Sequence, residues 1–134
     1  MAHPQPQTQQ ERLARTQQAG YFMLLFHPET KMNAIVWEQQ TATLGRTKMN
    51  PTSEPSNFVP VGKYKTVSRE HAEIAWNESR GGWDLKVLGK RGICSNGKRI
   101  EKDQVLHLSM TEPTPIKMGE SRFYFCPAMA APNQ

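Results

Sequence analysis

Two short stretches decide the fold of this chain, Thr43-Leu44-Gly45-Arg46 and Val67-Ser68-Arg69-Glu70-His71-Ala72-Glu73-Ile74. The first ends a predicted strand with an arginine in a turn. The second places a hydroxyl, a second arginine and a histidine just before another predicted strand. An arginine fork of N–H donors and a serine hydroxyl on neighbouring turns suit one ligand, a phosphate carried by a protein side chain.

The region around these stretches is a succession of short strands and turns. Apolar residues alternate within 71–76 and again within 83–87, which predicts a hairpin. Asn96-Gly97 is a tight-turn signal between two further strands. The pattern predicts strands at 22–27, 34–37, 41–45, 71–76, 83–87, 93–95, 98–100, 105–108, 115–118 and 122–125. Many short strands without a helical period predict an all-β sandwich.

Three segments lack a strand pattern. Residues 1–20 are rich in Gln, Thr and Pro, so they are predicted to be a disordered arm, because they cannot bury enough apolar surface to offset the entropy of ordering. Residues 47–62 contain several prolines and are predicted to be a long structureless connection, of a length often used for binding. Residues 128–134 are predicted to be a loose tail, which leaves one domain at 21–127.

The chain resembles a forkhead-associated (FHA) domain. The resemblance rests on Gly45-Arg46, on the Ser68-x-x-His71 signature, and on Asn96-Gly97. It is reinforced by Trp83-Asp84-Leu85-Lys86-Val87-Leu88-Gly89-Lys90 and by Ile116-Lys117-Met118-Gly119 leading into Phe123-Tyr124-Phe125, which are similar to FHA domains of nuclear, transcription-related regulators. The resemblance covers residues 21–127. It implies an FHA-like β-sandwich of about eleven short strands in two sheets, which binds phosphothreonine peptides.

The resemblance also implies which residues hold the phosphate. Arg46 is expected to contact it, and Ser68 is expected to donate its hydroxyl to a phosphate oxygen. Arg69 is either a second clamp or a solvated charge, and Lys48 is an assisting cation. A phosphothreonine carries about −1.5 to −2 charges near neutral pH, so several cations around it are reasonable.

Four further residues are expected to shape this site and not to touch the phosphate. His71 resembles a buried family histidine that ties loops together by hydrogen bonds, so we do not expect it to be catalytic. Asn96 and Gly97 suit a turn that needs positive φ. Gly45 is expected to let the backbone come close beneath the ligand.

One position departs from the family pattern. The family usually has Asn before the glycine that corresponds to Gly92, and its amide holds the ligand backbone. Here that residue is Arg91, which has donors but no acceptor and so cannot accept a peptide N–H. Two outcomes stay open. Arg91, with Lys90 beside it, pairs with an acidic or second phosphorylated residue of the ligand, or the site is weakened and the module is used differently.

Charge is concentrated in particular loops. The formal net charge is +5, and windows 45–48, 62–69 and 89–100 contain nine Lys or Arg residues but no Asp or Glu. In the family the corresponding loops lie together at one end of the sandwich, which favours an anionic ligand. Nucleic-acid binding through these loops is a weaker alternative, because Tyr64 is the only aromatic residue within the windows.

The remaining sequence features narrow the function class. The chain has no apolar run of membrane-spanning length, no secretory-signal layout, and only two cysteines, so we expect an intracellular, reducing setting. The resemblance to nuclear, transcription-related regulators implies a nuclear location. No paired carboxylates, metal-spaced cluster or P-loop appears, and we expect neither enzymatic activity nor a cofactor or metal. A phosphate-independent scaffold, acting through a sheet face or by self-association, is a second alternative. The oligomeric state stays open.

Overall fold

The computed structural model describes residues 21–48 and 56–127, which form two packed β-sheets. The strands are β1 (Phe22–Phe26), β2 (Ile35–Trp37), β3 (Thr41–Gly45), β4 (Phe58–Pro60), β5 (Ala72–Asn77), β6 (Gly82–Val87), β7 (Ile93–Ser95), β8 (Lys98–Ile100), β9 (Val105–His107), β10 (Thr114–Met118) and β11 (Ser121–Pro127). One sheet has the order β2-β1-β11-β10-β7-β8 and the other β4-β3-β5-β6-β9. Among the described residues, no helix is long and apolar enough to cross a membrane.

The predicted all-β sandwich is confirmed, and each predicted strand is present with ends that differ by two residues or fewer. The prediction that 47–62 is structureless was wrong for residues 58–60, which form β4, whereas residues 49–55 lie outside the described residues. Phe58 and Val59 are buried, and β4 pairs in parallel with β3, which brings the count to the eleven strands that the resemblance implies. The predicted arm at 1–20 and tail at 128–134 lie outside the described residues.

The core is formed by the inward-facing residues of both sheets. Phe22 of β1 packs edge-on against Trp83 of β6, with ring centroids 5.1 Å apart, and against Phe125 of β11 at 5.1 Å. All three side chains are buried. Because complete burial of one such side chain contributes about 1.5–3 kcal/mol, this aromatic cluster is a main source of the attraction between the sheets.

Six loops meet at one end of the sandwich, and we call this the loop end: residues 27–34, 46–48, 61–71, 88–92, 101–104 and 119–120. Hydrogen bonds join them across sequence. The Arg46 N–H donates to the Ser68 carbonyl at 2.9 Å, and the Leu88 N–H donates to the His71 carbonyl at 2.8 Å. The Glu120 N–H donates to the Thr66 hydroxyl at 2.9 Å, which links the two sheets. The loop end is therefore held by the backbone, which gives its side chains fixed starting points.

Candidate functional site

Arg46 and Ser68 lie side by side at the loop end. Arg46 follows the last residue of β3, and its N–H donates to the carbonyl of Ser68 at 2.9 Å. A second hydrogen bond joins the same two segments, because the His71 N–H donates to the Leu44 carbonyl at 2.8 Å. Both Arg46 and Ser68 are half-buried, so their side chains have partial access to solvent. The structure thus places the two predicted phosphate-binding residues on adjacent, hydrogen-bonded backbone.

His71 joins two of these loops from beneath. Its side chain is completely buried. The Ser68 N–H donates to Nδ1 at 2.9 Å, so Nδ1 carries no proton, and the proton on Nε2 is donated to the Gly92 carbonyl at 2.8 Å. Burial lowers the pKa of His71, as does the charge of Arg91 to a smaller degree, and the Gly92 carbonyl only partly opposes this. The neutral imidazole therefore joins the loop that contains Ser68 to the loop that contains Arg91 and Gly92.

Gly45 and Gly89 allow these loops to approach each other. A Cβ on Gly45 would stand 1.8 Å from the Arg69 carbonyl oxygen, so only a glycine lets the Arg69 backbone come this close to the end of β3. A Cβ on Gly89 would stand 2.9 Å from Ser68 Oγ and 3.2 Å from the His71 ring. Sequence reasoning missed the role of Gly89, although a glycine two residues after the predicted strand at 83–87 was an available signal.

The other predicted phosphate ligands, Arg69 and Lys48, are placed differently from each other. Arg69 is exposed, directly after Ser68. Lys48 is half-buried, and its Nζ lies 4.9 Å from the centre of the Phe58 ring on β4. A cation over an aromatic face is attracted by the ring, which holds Lys48 against the β3–β4 edge. Arg69 is therefore the better placed of the two to add charge beside Ser68.

Lys90 and Arg91 are exposed on the loop between β6 and β7. The next residue, Gly92, has φ of 70° and supplies the carbonyl that His71 holds. Arg99 extends over this loop from β8, because a Cβ on Gly92 would be 3.5 Å from its Nη2. The Nε of Arg99 is bonded to Glu101 at 2.9 Å, whereas Lys90 and Arg91 form no ion pair with any described residue. Their charge faces solvent beside Ser68.

Asn96 and Gly97 are not brought together with Arg46 and Ser68. They form the two-residue turn between β7 and β8, with φ of 53° and 76°. Positive φ at both positions suits the twist of a tight hairpin. The turn stands at the far end of β7 from Gly92, so it shapes the β7–β8 hairpin and not the phosphate site.

The described residues show no second type of chemistry. Cys94 and Cys126 are both free, and burial raises the pKa of the Cys126 thiol, which disfavours the reactive thiolate. Within residues 21–48 and 56–127, no group of three or more His, Cys, Asp or Glu side chains could hold a metal ion.

A comparison with known families decides what this arrangement is. The FHA domain model matches residues 42–111, which is just over half of the chain. The chain belongs to the FHA domain family. FHA domains are protein-interaction modules, and the matched segment contains Arg46, Ser68, His71 and Arg91 together with the strands that position them.

This FHA domain is also similar to segments of curated fungal proteins. It is 32% identical over 84 residues to the pre-rRNA-processing protein FHL1 of Saccharomyces cerevisiae, covering 63% of this chain and 9% of that protein. It is 31% identical over 79 residues to the fork-head transcriptional regulator 2 of Candida albicans, covering 56% of this chain and 12% of that protein. The FHA domain thus spans about a tenth of the length of these relatives.

Solved structures share the fold of this FHA domain. The FHA domain of an Arabidopsis thaliana hypothetical protein matches 85% of this chain and 90% of its own length, with a TM-score of 0.63 and 20% identity. The N-terminal FHA domain of Rad53p from S. cerevisiae, solved with a phosphothreonine peptide, matches 80% of this chain and 93% of its own length, with a TM-score of 0.62 and 15% identity.

Proposed function

We propose that this FHA domain binds phosphothreonine-containing segments of a partner protein, with the phosphate held by Arg46 and Ser68. The observation that carries the proposal is the hydrogen bond from the Arg46 N–H to the Ser68 carbonyl, which joins the starting points of both side chains. The relative solved with a phosphothreonine peptide supports the ligand class.

The phosphate would be bound by complementary charge and fixed donors. A phosphothreonine carries about −1.5 to −2 charges, which the Arg46 guanidinium offsets, while the Ser68 hydroxyl donates to a second oxygen. The bond from the Ser68 N–H to His71 Nδ1 fixes the Ser68 backbone, and Ser68 Oγ lies close to Gly89, so the hydroxyl starts from a defined position. The exposed Arg69 adds a second cationic contact.

The first test compares Arg46→Ala and Ser68→Ala with the parent on a phosphothreonine peptide, by fluorescence polarisation. Charge-assisted hydrogen bonds contribute roughly 1.5–3 kcal/mol each, so Arg46→Ala should weaken binding by about tenfold to more than a hundredfold. Ser68→Ala should weaken it by a smaller factor. Both melting temperatures should stay close to that of the parent, since neither side chain is part of the buried core.

Matched controls come from the turn between β5 and β6, at the opposite end of the sandwich. Arg80→Ala and Ser79→Ala make the same chemical changes at exposed positions there and should leave peptide affinity unchanged. The unphosphorylated peptide should bind to none of the proteins. Equal binding of the phosphopeptide by the parent and by Arg46→Ala and Ser68→Ala would show that the phosphate is held elsewhere.

The relatives support a proposal about the cellular setting. One of them is named as a transcriptional regulator and another as a pre-rRNA-processing protein. Transcription and the processing of pre-rRNA are both nuclear processes. This supports an intracellular, nuclear location and a phosphorylated protein partner found there. Imaging of a fluorescently tagged chain should show nuclear enrichment, and uniform cytoplasmic signal would count against this assignment.

A phosphate-independent interaction is a second candidate, and one surface favours it. On the six-stranded sheet, the side pointing away from the core carries Met23, Leu25, Val36 and Tyr124, which we call the outer face. Register pairs Met23 with Val36 and Leu25 with Tyr124, and Leu25, Val36 and Tyr124 are 46%, 55% and 45% exposed. Contiguous exposed apolar side chains often mark protein contacts. A partner of this kind would bind equally well after phosphatase treatment, whereas a phosphothreonine partner would be released.

A further inference from the structure

We propose that this FHA domain reads its phosphopeptide on both sides of the phosphothreonine, with an apolar side chain entering a cavity on one side and an acidic side chain meeting Arg91 on the other. The inference rests on the proposed function, and it assigns ligand specificity to a cavity that the sequence did not indicate. The cavity has a volume of about 460 Å³ and lies between the loop after β1 and the loop after β4.

The cavity adjoins the proposed phosphate site directly. Thr47, which lines it, is the residue after Arg46. Two hydrogen bonds fix Thr47 against the opposite wall, since its N–H donates to the Gly62 carbonyl at 2.8 Å and its Oγ1 accepts from the Gly62 N–H at 3.2 Å. A peptide anchored on Arg46 would therefore pass the mouth of the cavity within a few residues.

The walls of the cavity suit an apolar side chain. Met32 and Tyr64 are half-buried and pack against the core, and the Tyr64 ring lies across Gly62, where a Cβ would meet it at 2.9 Å. The hydroxyls of Thr30 and Thr47 are both engaged, Thr30 donating to the His27 carbonyl at 2.7 Å. Lys31 and Lys63 also line the cavity, and both are exposed to solvent. The buried part of the lining is mainly the Met32 thioether and the Tyr64 ring. Leu, Ile, Met or Phe fits such a lining, and cavities of this size commonly hold small apolar groups.

The opposite side of the phosphate site is cationic. Ser68 bonds to the Arg46 N–H through its carbonyl, and its hydroxyl faces Gly89. Lys90 and Arg91 follow Gly89, are exposed, and form no ion pair with any described residue. These contacts place four features in a row across the loop end, namely the cavity, then Arg46, then Ser68, and then Arg91. Because an extended peptide crosses such a row in one direction, residues on opposite sides of the phosphothreonine meet the cavity and Arg91.

An oriented library of phosphothreonine peptides tests the inference, with each of about four positions on either side varied. The parent should select an apolar residue on one side and Asp, Glu or a second phosphorylated residue on the other. Met32→Gln should remove about tenfold of the apolar preference and leave the acidic one, since a polar amide disfavours an apolar group in the cavity. Arg91→Asn should do the reverse.

Met110→Gln is the matched control. Met110 is also a half-buried methionine packed against the core, but it lies in the loop between β9 and β10, at the end of the sandwich opposite the loop end. It should leave both preferences unchanged. If Met32→Gln fails to fold, methyl-labelled methionine NMR on the parent replaces it. A phosphopeptide with the selected apolar residue should shift the Met32 methyl signal, and its alanine counterpart should not.

The outcomes separate the two proposals. Phosphate-dependent binding without an apolar preference, or with both preferences on the same side of the phosphothreonine, overturns this inference alone. An apolar preference that survives Met32→Gln, or an unmoved Met32 methyl signal, overturns it as well. Loss of phosphate-dependent binding altogether would overturn the proposed function and this inference with it.

Discussion

The loop end and the outer face differ in what they offer a partner: the loop end has backbone groups fixed by hydrogen bonds, and the outer face has exposed apolar side chains. At the loop end, the Arg46 N–H donates to the Ser68 carbonyl, the Ser68 N–H donates to His71 Nδ1, and His71 Nε2 donates to the Gly92 carbonyl, all at 2.8–2.9 Å. The outer face instead displays side chains on regular strands, and Leu25 and Val36 are about half exposed there. A ligand with fixed charge geometry needs the first kind of surface, because its hydrogen bonds tolerate little displacement. An apolar contact is less directional, so exposed side chains on regular strands, as on the outer face, are sufficient for it.

The largest difference between the two regions should appear on removing His71. His71→Ala leaves the Ser68 N–H and the Gly92 carbonyl without partners and opens a cavity in the core. We expect the free energy of unfolding to fall by about 3–5 kcal/mol, and affinity for a phosphothreonine peptide to fall more than tenfold. Urea denaturation and fluorescence polarisation measure the two quantities.

His107→Ala is the control for this change. His107 is 61% exposed and pairs with Asp84 on the side of the five-stranded sheet, so its loss should cost about 1 kcal/mol or less. Should His71→Ala be no more damaging than His107→Ala, the loops are not held together by the imidazole, and the contrast between the loop end and the outer face loses its basis.

A smaller effect is expected from pH. Because the pKa of His71 is lowered in the folded protein by burial, the unfolded chain binds a proton more readily at this residue. This contribution to stability is complete above the ordinary histidine value of about 6.5 and declines as pH falls below it, by at most about 1.4 kcal/mol per pH unit. Urea denaturation at pH values from 7.5 down to 5 should show this loss.

His71→Gln keeps a donor and an acceptor but does not titrate, so its stability should decline less steeply with acid. Asp84 does not interfere in this range. Burial tends to raise its pKa, but hydrogen bonds from neighbouring side chains outweigh burial and lower it, so its stabilisation is lost only as pH falls below the ordinary value of 3.8. Parallel pH profiles for the parent and His71→Gln would show that His71 takes up its proton equally in both states.

The smallest effect should come from the outer face. Val36→Lys places a charge on β2, which is an edge strand of the six-stranded sheet and tolerates lysine. The free energy of unfolding should change by about 0.5 kcal/mol or less, and phosphopeptide affinity should stay within about twofold of the parent. A tenfold change in phosphopeptide affinity would mean that the two regions are coupled. Loss of a phosphatase-insensitive partner would instead assign that partner to the outer face.

The parts of the fold that could be predicted are those encoded locally. Alternation over 71–76 and 83–87 and the Asn96-Gly97 turn each involve residues that are close in sequence, and the β5–β6 and β7–β8 hairpins follow from them. β4 was missed because its partner, β3, is parallel and separated by a long connection, so no turn signal links the two. Pro60 also argues against a strand, although proline is tolerated at a sheet edge.

The candidate site was only partly predictable for a similar reason. Arg46 and Ser68 could be named from their chemistry and from the family resemblance, and the structure places them together. The fit of Gly89 against Ser68 and the cavity beside Met32 depend on contacts between loops that are distant in sequence. No pattern along the chain indicates which loop a glycine will face, so the contact of Gly89 with Ser68 and the cavity beside Met32 could not be predicted from the sequence.

The pairing of the first and last strands has a consequence for how the module is connected. Phe22 of β1 stands opposite Pro127 of β11, so the polypeptide enters and leaves the sandwich at neighbouring points. Phe26, at the other end of β1, leads into the loops around Arg46, so both points lie far from that end. In any longer protein, flanking chain would emerge away from the proposed phosphate site. A domain whose two ends lie close together can be inserted between other domains, and here the insertion would leave the loop end accessible.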